Sequence, residues 1–508
     1  MLVFSNSLFG GFVYDDRPII VENPLVRGRA TISQMLASGY WDRGENNSSG
    51  GGLYRPLTIW TLAQNWRMGG GSAFIFHLFN LIIHAAASVL VLFLLWRFGL
   101  SLPSSVAGAL AFAVLPVHVE AVAWTVGRAE ALGALFFFAA WLLLHQSSAP
   151  NKILAGLFCY MLALLSKESS ATLPAALVLG EIYARRGSLK SLVEKRLPVW
   201  IAAFGTLAAY LYWRRCILGS ALKTGALYFL NTSKIVAILT MAKFFFRGWL
   251  VPIATGLGLC ADYNRPAFAD SSASDMTAWA ALALIIAGLV FALRDFVRKK
   301  SFWSFAVLLF AALAIPMSNT IVPMGILGAD RFEYLPSVAF CFLFALGWER
   351  LKKYRAGFAA MILLWSALTV SRNRVWASDE TLFSSLAQTA PDNVRVLNGE
   401  GISAGRAGRQ AEAREYFRRA LAADPVQTEA AYNIGKSLFD EGDWRGAKPW
   451  FSKLGDKDSL CYLGMIAERE GNLSAAKDYY LRTLEKDPTH PEALYNLGLL
   501  NSARRRNP

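Results

Sequence analysis

The chain has 508 residues, of which 55% are hydrophobic and only 17% are charged, and its formal net charge is +15. Since soluble globular proteins carry about 25% charged residues, this composition excludes an ordinary soluble enzyme and indicates a protein that crosses a membrane several times. The basic residues form no stripe interleaved with aromatic residues, so nucleic-acid binding is not expected.

The N-terminal segment, Met1 to Val13, is apolar but shorter than the roughly 20 residues that a transmembrane helix needs, and it lacks the features of a signal peptide. We expect it to be a first transmembrane helix that is truncated at its start. Residues 54 to 68, with Trp60 and Trp66 among polar positions, predict an amphipathic helix at the membrane interface. The preceding run, 46 to 52, has the composition of a flexible linker.

Ten further apolar segments follow, near 72–96, 103–117, 131–145, 153–166, 170–184, 197–213, 276–293, 302–319, 335–348 and 356–371. Basic clusters at 185–196, 294–300 and 350–355 lie between them and should be cytoplasmic. Counting crossings from these clusters puts the connections 14–71, 118–130, 167–169, 214–275 and 320–334, and everything after 372, on the outer side. The stretch 229–259 must then cross twice or not at all, as a re-entrant or interfacial segment would.

A soluble helical repeat is predicted beyond residue 390. The repeated positions are Gly401, Gly435, Gly464 and Gly498, then Ala413, Ala447 and Ala476, and then Phe417, Phe451 and Tyr480. The glycines are spaced by 34, 29 and 34 residues, which matches the tetratricopeptide pattern with five residues missing near the end of the second repeat. The predicted fold is therefore all-α. A membrane helical bundle of about 11 spans, the first truncated, occupies 1–371, a connector occupies 372–390, and a tetratricopeptide-repeat solenoid occupies 391–508.

Charged residues recur at the ends of the apolar segments, all on the predicted outer side. Asp15 and Asp16 follow the first segment directly, where a carboxylate can act as a general base toward a hydroxyl; the alternative is that they cap a turn or pair with Arg17. His118 and Glu120 add an imidazole and a carboxylate at another outer end. A divalent metal bound by these groups is possible but not favoured, because the groups come from separate loops, whose ligand spacing the sequence does not define. The five cysteines show no metal-ligand spacing.

Three cations, Arg128, Lys167 and Arg331, share this predicted face and suit phosphate recognition. The alternative for each is a local partner, which would be Glu130, Glu168 or Asp330, or an interfacial anchor. His77, Asn80 and His84 fall on one helix face, which we expect to point into the bundle interior.

The motifs, in chain order, are Gly11-Phe12-Val13-Tyr14-Asp15-Asp16, Tyr54-Arg55-Pro56-Leu57-Thr58, His77-Leu78-Phe79-Asn80 with His84, Pro116-Val117-His118-Val119-Glu120-Ala121-Val122, Val126-Gly127-Arg128-Ala129-Glu130, Ser166-Lys167-Glu168, and Asp330-Arg331 with Tyr334-Leu335-Pro336-Ser337. Together with the repeats, they resemble the eukaryotic transmembrane and tetratricopeptide-repeat-containing family and its bacterial relatives. That family is similar to the protein O-mannosyltransferases and other C-type glycosyltransferases.

The resemblance implies a membrane glycosyltransferase that moves a hexose such as mannose from a polyprenyl-phosphate carrier to a Ser or Thr hydroxyl of a protein. It makes Asp16, or its neighbour Asp15, the catalytic carboxylate, with Glu120 as a further catalytic residue. The implied donor-phosphate residues are Arg55, His84, Arg128, Lys167 and Arg331, and the other site residues are His118, Glu130, Glu168 and Asp330. Two departures from the family pattern are the incomplete first span and Asp330-Arg331 where Glu-Arg is expected.

No nucleotide-sugar motif is present, which agrees with a lipid-linked donor and with no other cofactor. The expected partners are membrane lipid, the polyprenyl-phosphate sugar and an acceptor protein docked on the repeats. A membrane-anchored tetratricopeptide scaffold without enzymatic activity is the competing hypothesis, and a transporter comes third. The expected location is a bacterial plasma membrane with extracytoplasmic repeats, or the endoplasmic reticulum membrane in a eukaryote.

Overall fold

The computed structural model describes the chain except for residues 29, 42–51, 186, 220–227, 230–231, 264–267, 322–323, 426–427, 489 and 507–508. Most of the predicted linker at 46 to 52 therefore lies outside the described residues. Every regular element within them is a helix, so the predicted all-α class is confirmed. The chain forms two compact units, Met1–Tyr263 with Ala269–Leu382, and Asn264–Phe268 with Phe383–Pro508. The division after Leu382 falls inside the range 372–390, and the predicted domain limits stay predictions.

All the regular elements described in the first unit are helices. Its α-helices are Pro24–Arg27, Ile32–Leu36, Pro56–Gly69, Ala73–Arg97, Leu102–Val114, Val119–Val122, Arg128–Leu144, Pro150–Ser166, Leu173–Ala184, Leu189–Leu218, Lys234–Phe244, Val251–Thr255, Met276–Lys299, Phe302–Ala314, Ser337–Arg350 and Arg355–Asn373, and Asp379–Thr389 begins at its end. Short 3-10 or π-helical turns are Leu2–Phe9, Arg17–Val21, Pro116–His118, Glu168–Thr172, Phe245–Leu250, Ile315–Met317, Asp330–Glu333, Lys352–Tyr354 and Arg374–Trp376. Each of the ten predicted apolar segments is thus helical.

Several of these helices have the length and composition of membrane spans. Within the described residues, four helices are long and apolar enough to cross a membrane: Ala73–Arg97, Lys234–Thr255, Met276–Lys299 and Lys352–Trp376. A fifth span results if Leu102–Val114 and Pro116–Val122, which meet at a bend of 48°, are counted together. Other apolar helices, such as Pro150–Ser166, are shorter. The protein is a membrane protein, and the number of crossings, about 11 by sequence, stays a prediction.

The N-terminal segment forms a 3-10 helix, Leu2–Phe9, rather than an α-helical span. It packs against the bundle: the ring of Phe4 meets that of His84 at 5.0 Å, and Asn6 Nδ2 donates to the carbonyl of Val370 at 2.9 Å. Asn373 Nδ2 in turn donates to the carbonyl of Val3 at 3.0 Å. These contacts fix the segment that leads to Asp15 and Asp16.

The apolar helix Lys234–Thr255 occupies the stretch for which the sequence predicts two crossings or none. It is long enough to cross once, yet the residues flanking it contact the connection 320–334 and the end of the apolar segment 103–117, which the sequence places on the same side. Tyr228 donates its backbone N–H to the carbonyl of Met324 at 2.8 Å before the helix, and Gly256 packs closely on Pro116 after it. This arrangement favours a segment that does not cross.

The second unit consists of helix pairs, as the repeat spacing predicts. Its helices are Val394–Arg406, Gln410–Ala423, Thr428–Asp440, Trp444–Ser452, Lys457–Arg469, Leu473–Lys486 and Pro491–Arg506. The second helix of the second repeat has 9 residues where its counterparts have 14, which is the predicted loss of five residues. The repeated glycines permit close packing, because a Cβ at Gly401 would collide with the ring of Phe417 and one at Gly464 with the ring of Tyr480.

Candidate functional site

A cavity of about 580 Å³ opens within the first unit. This volume is typical of ligand pockets, which measure about 300–1,000 Å³. The sequence-predicted residues that line it are Asp15, Arg55, Glu130, Lys167, Glu168 and Arg331. The rest of the lining is largely apolar, with Ile19, Leu53, Leu211, Ile315, Pro316, Met317, Ile321, Met324 and Ile326 among it. The cavity therefore joins a charged region to a hydrophobic wall.

Two ion pairs form part of the charged region. Arg55 Nη2 lies 2.9 Å from Glu168 Oε2, and Lys167 Nζ lies 2.5 Å from Glu130 Oε1. The backbone of Lys167 is extended where the helix Pro150–Ser166 ends, so that two successive side chains reach different partners. Burial opposes the ionisation of Glu168, but Arg55 and Lys167 outweigh it and lower its pKa to about 2. Glu168 is therefore ionised at neutral pH.

Arg331 is the most exposed of the three predicted cations in the cavity, with 22% of its side chain accessible, against 11% for Arg55 and 4% for Lys167. The Glu120 carboxylate accepts two hydrogen bonds from Arg331, one from its backbone N–H at 2.8 Å and one from its guanidinium Nη1. The guanidinium also lies 5.2 Å from the ring of Trp124. Burial disfavours the charge, yet Glu120 and Glu130 outweigh it, and the pKa of Arg331 is raised.

The two adjacent aspartates, Asp15 and Asp16, have different surroundings. Asp16 is fully buried, and its carboxylate accepts from the backbone N–H groups of Val13 and Val126, each at 2.9 Å. Burial raises its pKa to about 7, although these two hydrogen bonds act in the opposite direction. Asp15 instead lines the cavity. In this structure Asp15 reaches the cavity and Asp16 does not, and the assignment of the base to either aspartate stays a prediction.

Two predicted phosphate residues, Arg128 and His84, do not line the cavity. Arg128 is buried and donates from Nε to Asn80 Oδ1 at 2.6 Å and from Nη2 to the carbonyl of Phe76 at 2.8 Å. His84 Nδ1 lies 2.7 Å from the hydroxyl of Tyr334. Both contact neighbouring segments of the bundle instead, and their assignment to the donor phosphate stays a prediction. The prediction that the stripe containing Asn80 and His84 faces the bundle interior is confirmed, since both are buried.

Three other predicted site residues lie behind the cavity lining. Glu120 is buried and accepts from the backbone N–H of Arg331, and its catalytic role stays a prediction. His118 Nε2 lies 2.8 Å from the hydroxyl of Ser337. Asp330 accepts from the hydroxyl of Tyr263 at 2.6 Å, and burial raises its pKa to about 7. His118 and Asp330 are thus structural neighbours of the site rather than part of its surface.

Sequence reasoning missed several lining residues. Tyr40 places its ring 4.9 Å from the guanidinium of Arg55, and Arg214 and Tyr210 come from the end of the Leu189–Leu218 helix. Arg214 stands where an apolar segment ends on the predicted outer side, so the pattern that singled out Lys167 and Arg331 could have found it. Tyr40 carries no comparable signal in the sequence.

By sequence, a divalent metal is possible but not favoured. In the part of the chain that the structure describes, no three His, Cys, Asp or Glu side chains are grouped to hold a metal ion.

The helical bundle with its charged cavity, followed by the stacked helix pairs, defines an all-α membrane protein with tetratricopeptide repeats. A family profile described as "Tetratricopeptide repeat" matches residues 398–458 and 463–508. Comparison with known proteins confirms the resemblance to the tetratricopeptide-repeat-containing, O-mannosyltransferase-like family.

Three relatives illustrate the similarity. The chain is 29% identical over 475 residues to Protein O-mannosyl-transferase TMTC3 of Mus musculus, with 85% of this chain and 51% of the relative covered. It is 28% identical over 513 residues to Protein O-mannosyl-transferase TMTC1 of Homo sapiens, with 87% and 56% covered. For Protein O-mannosyl-transferase F38B6.6 of Caenorhabditis elegans, identity is 27% over 440 residues, with 84% and 61% covered. The chain thus spans between half and two-thirds of the length of these relatives.

Proposed function

We propose that this protein is a membrane glycosyltransferase that moves a hexose, such as mannose, from a polyprenyl-phosphate donor to a Ser or Thr hydroxyl of an acceptor protein. The names of the relatives support the transferase class and the protein acceptor. The cavity supports the lipid-linked donor, because it combines cations for a phosphate, carboxylates for proton transfer and an apolar wall for a hydrocarbon chain. That combination in one space is the observation that carries the proposal.

The cations of the cavity receive the donor phosphate in this proposal. Arg331 presents its guanidinium at the cavity surface, and Arg55 and Lys167 line the same space. Planar guanidinium groups bind phosphate oxygens with two parallel hydrogen bonds, and a pre-arranged cation stabilises the charge that develops on the leaving phosphate. Glu120 keeps the Arg331 side chain in place before the substrate arrives.

Asp15 is the general base of the reaction. Its carboxylate takes the proton of the acceptor hydroxyl while the hydroxyl oxygen forms a bond to the anomeric carbon of the sugar. The bond between that carbon and the phosphate oxygen breaks, and the polyprenyl phosphate leaves with the electron pair. The negative charge moves from the acceptor side to the phosphate, where Arg331 lies.

The cavity opens on the extracytoplasmic side in this proposal, since the basic clusters near 185–196, 294–300 and 350–355 belong on the cytoplasmic side. The repeats share the outer side and dock the acceptor protein. The membrane is the bacterial plasma membrane, or that of the endoplasmic reticulum in a eukaryotic cell. No divalent metal is assigned a role, and transfer in the presence of a chelator tests this point.

The experiment uses membranes that contain the full-length protein, radiolabelled mannosyl-phosphoryl-polyprenol and a Ser/Thr-rich peptide. We expect label to enter the peptide and to be released by β-elimination, which identifies an O-glycosidic bond. Asp15→Asn should abolish most of the transfer. The matched control is Glu194→Gln, an exposed carboxylate about 30 Å along the same helix from the cavity residue Arg214. A scaffold without activity predicts no transfer by any variant under any donor condition.

A further inference from the structure

The loop that presents Asp15 has an unusual backbone. Tyr14, the residue directly before Asp15, has a φ of +54°, in the left-handed region that side chains other than glycine and asparagine rarely adopt. A residue remains in this conformation only when the surrounding contacts determine it. The contacts that hold Tyr14 therefore control where the Asp15 carboxylate points.

A segment more than 360 residues further along the chain contributes to these contacts. Asp379 Oδ1 accepts from the backbone N–H of Tyr14 at 2.8 Å, and Asp379 Oδ2 accepts from Arg17 Nε at 3.3 Å. The carbonyl of Ala377 accepts from the backbone N–H of Gly11 at 2.9 Å. Asp379 therefore engages the loop on both sides of Asp15.

The same segment also contacts the wall of the cavity. The ring of Trp376 stacks on the ring of Trp124 at 5.3 Å, and Trp124 Nε1 donates to the carbonyl of Val13 at 3.1 Å. Trp124 lines the cavity and lies 5.2 Å from the Arg331 guanidinium. The Trp376 to Asp379 segment thus touches both the loop of the candidate base and the ring beside the candidate phosphate residue.

We propose that Asp379 is a positioning residue, which fixes the loop at Tyr14 and so directs the Asp15 carboxylate into the cavity. The proposal rests on the proposed function, because it assumes that Asp15 takes the acceptor proton. Asp379 itself does not line the cavity, and it acts through the backbone N–H of Tyr14. The ion pair with Arg17 is a lesser contribution, since 60% of the Arg17 side chain is exposed.

Three variants of the full-length protein separate these contributions. Asp379→Ala removes both contacts, and Asp379→Asn keeps an oxygen that can accept from Tyr14 N–H but loses the ion pair. Arg17→Ala removes the ion pair alone. Glu380→Ala is the matched control, because it removes an exposed carboxylate from the adjacent position of the same helix.

The first measurement is the rate of transfer to a peptide. Asp379→Ala should lower kcat roughly tenfold or more with the KM for the lipid-linked sugar within about twofold, since a small misplacement of a reacting group can cost up to about a hundredfold in rate. Asp379→Asn, Arg17→Ala and Glu380→Ala should stay near the parent. A loss that appears only in KM, or equal losses in Asp379→Asn and Asp379→Ala, would overturn the positioning role.

The second measurement is hydrogen–deuterium exchange of the peptide that covers residues 11–17, which requires no activity. Exchange should be faster in Asp379→Ala and near the parent rate in Asp379→Asn and Glu380→Ala, because a lost hydrogen bond allows local opening. Unchanged exchange in Asp379→Ala refutes the proposal even if the enzyme is active. If the parent protein transfers no sugar, the proposed function is refuted. Faster exchange in Asp379→Ala would then still show that Asp379 holds the loop.

Discussion

Asp15 and Asp16 are adjacent in the chain but have different surroundings. Asp16 is enclosed and accepts two backbone N–H groups, whereas Asp15 lines the cavity. A buried carboxylate that satisfies backbone donors stabilises the fold, since an unpaired buried N–H costs about 1–3 kcal/mol. Asp16 therefore stabilises the loop, and Asp15 is the one of the two aspartates that reaches the cavity.

This difference predicts opposite outcomes for the same substitution. Asp15→Asn should lower transfer by about a hundredfold or more, because an amide cannot take the hydroxyl proton, and the yield of folded protein should be unchanged. Asp16→Asn should lower the yield of folded protein, because its amide N–H group would face the N–H of Val13 or Val126. Initial rates and size-exclusion profiles in detergent measure both effects. If Asp15→Asn remains active and Asp16→Asn folds well but is inactive, the base is Asp16.

A second prediction at the residue scale concerns the cation that meets the phosphate. Arg331→Lys keeps the charge but loses the planar fork and its bond to Glu120, so kcat/KM for the lipid-linked donor should fall. Hydrogen bonds to charged groups contribute about 1.5–3 kcal/mol, which corresponds to a loss of roughly tenfold to a hundredfold. Arg215→Lys, at an exposed position, is the control. Unimpaired use of the donor by Arg331→Ala would exclude the phosphate role.

At the scale of the element, segment ends and repeat spacing could be predicted because they depend on local pattern. The apolar segments became helices, and the charges at their ends, such as Lys167 and Arg331, converged on one cavity. Which end charge reaches the cavity could not be predicted, because it depends on packing between distant segments. Arg128 donates to Asn80 and does not line the cavity, and Asp379 accepts from Tyr14, which lies more than 360 residues away in the sequence. No periodicity in the sequence records either contact.

The helix Lys234–Thr255 gives a prediction at this scale. Because its flanks contact loops on one predicted side, cysteines at Lys234 and Leu257, both exposed positions, should react with an impermeant thiol reagent from the same side of sealed vesicles. A cysteine at Lys190, in the predicted cytoplasmic cluster, should react only after permeabilisation. The parent for these variants has Cys159 and Cys216 replaced by serine. Labelling of the two flanks from opposite sides would show a single crossing.

At the scale of the whole molecule, the two units have different physical roles. The first unit contains the cavity, to which the proposed function assigns the lipid-linked donor. The second unit is a short array of helix pairs, a class that presents extended surfaces to peptides. In the proposed function, a surface joined to the first unit by one chain raises the local concentration of any protein bound to it near the cavity, without adding a contact at the reacting atoms.

The last prediction follows from that separation. Deletion of residues 391–508 should raise the apparent KM for a protein acceptor about tenfold or more, because the second binding event is no longer intramolecular. Transfer to a short peptide should stay nearly intact, since the cavity residues Asp15 and Arg331 belong to the first unit. Parallel assays with one peptide and the protein from which it derives measure the ratio. Equal loss with both acceptors, in a deletion variant whose first unit remains folded, would make the repeats part of the catalytic unit and would contradict docking.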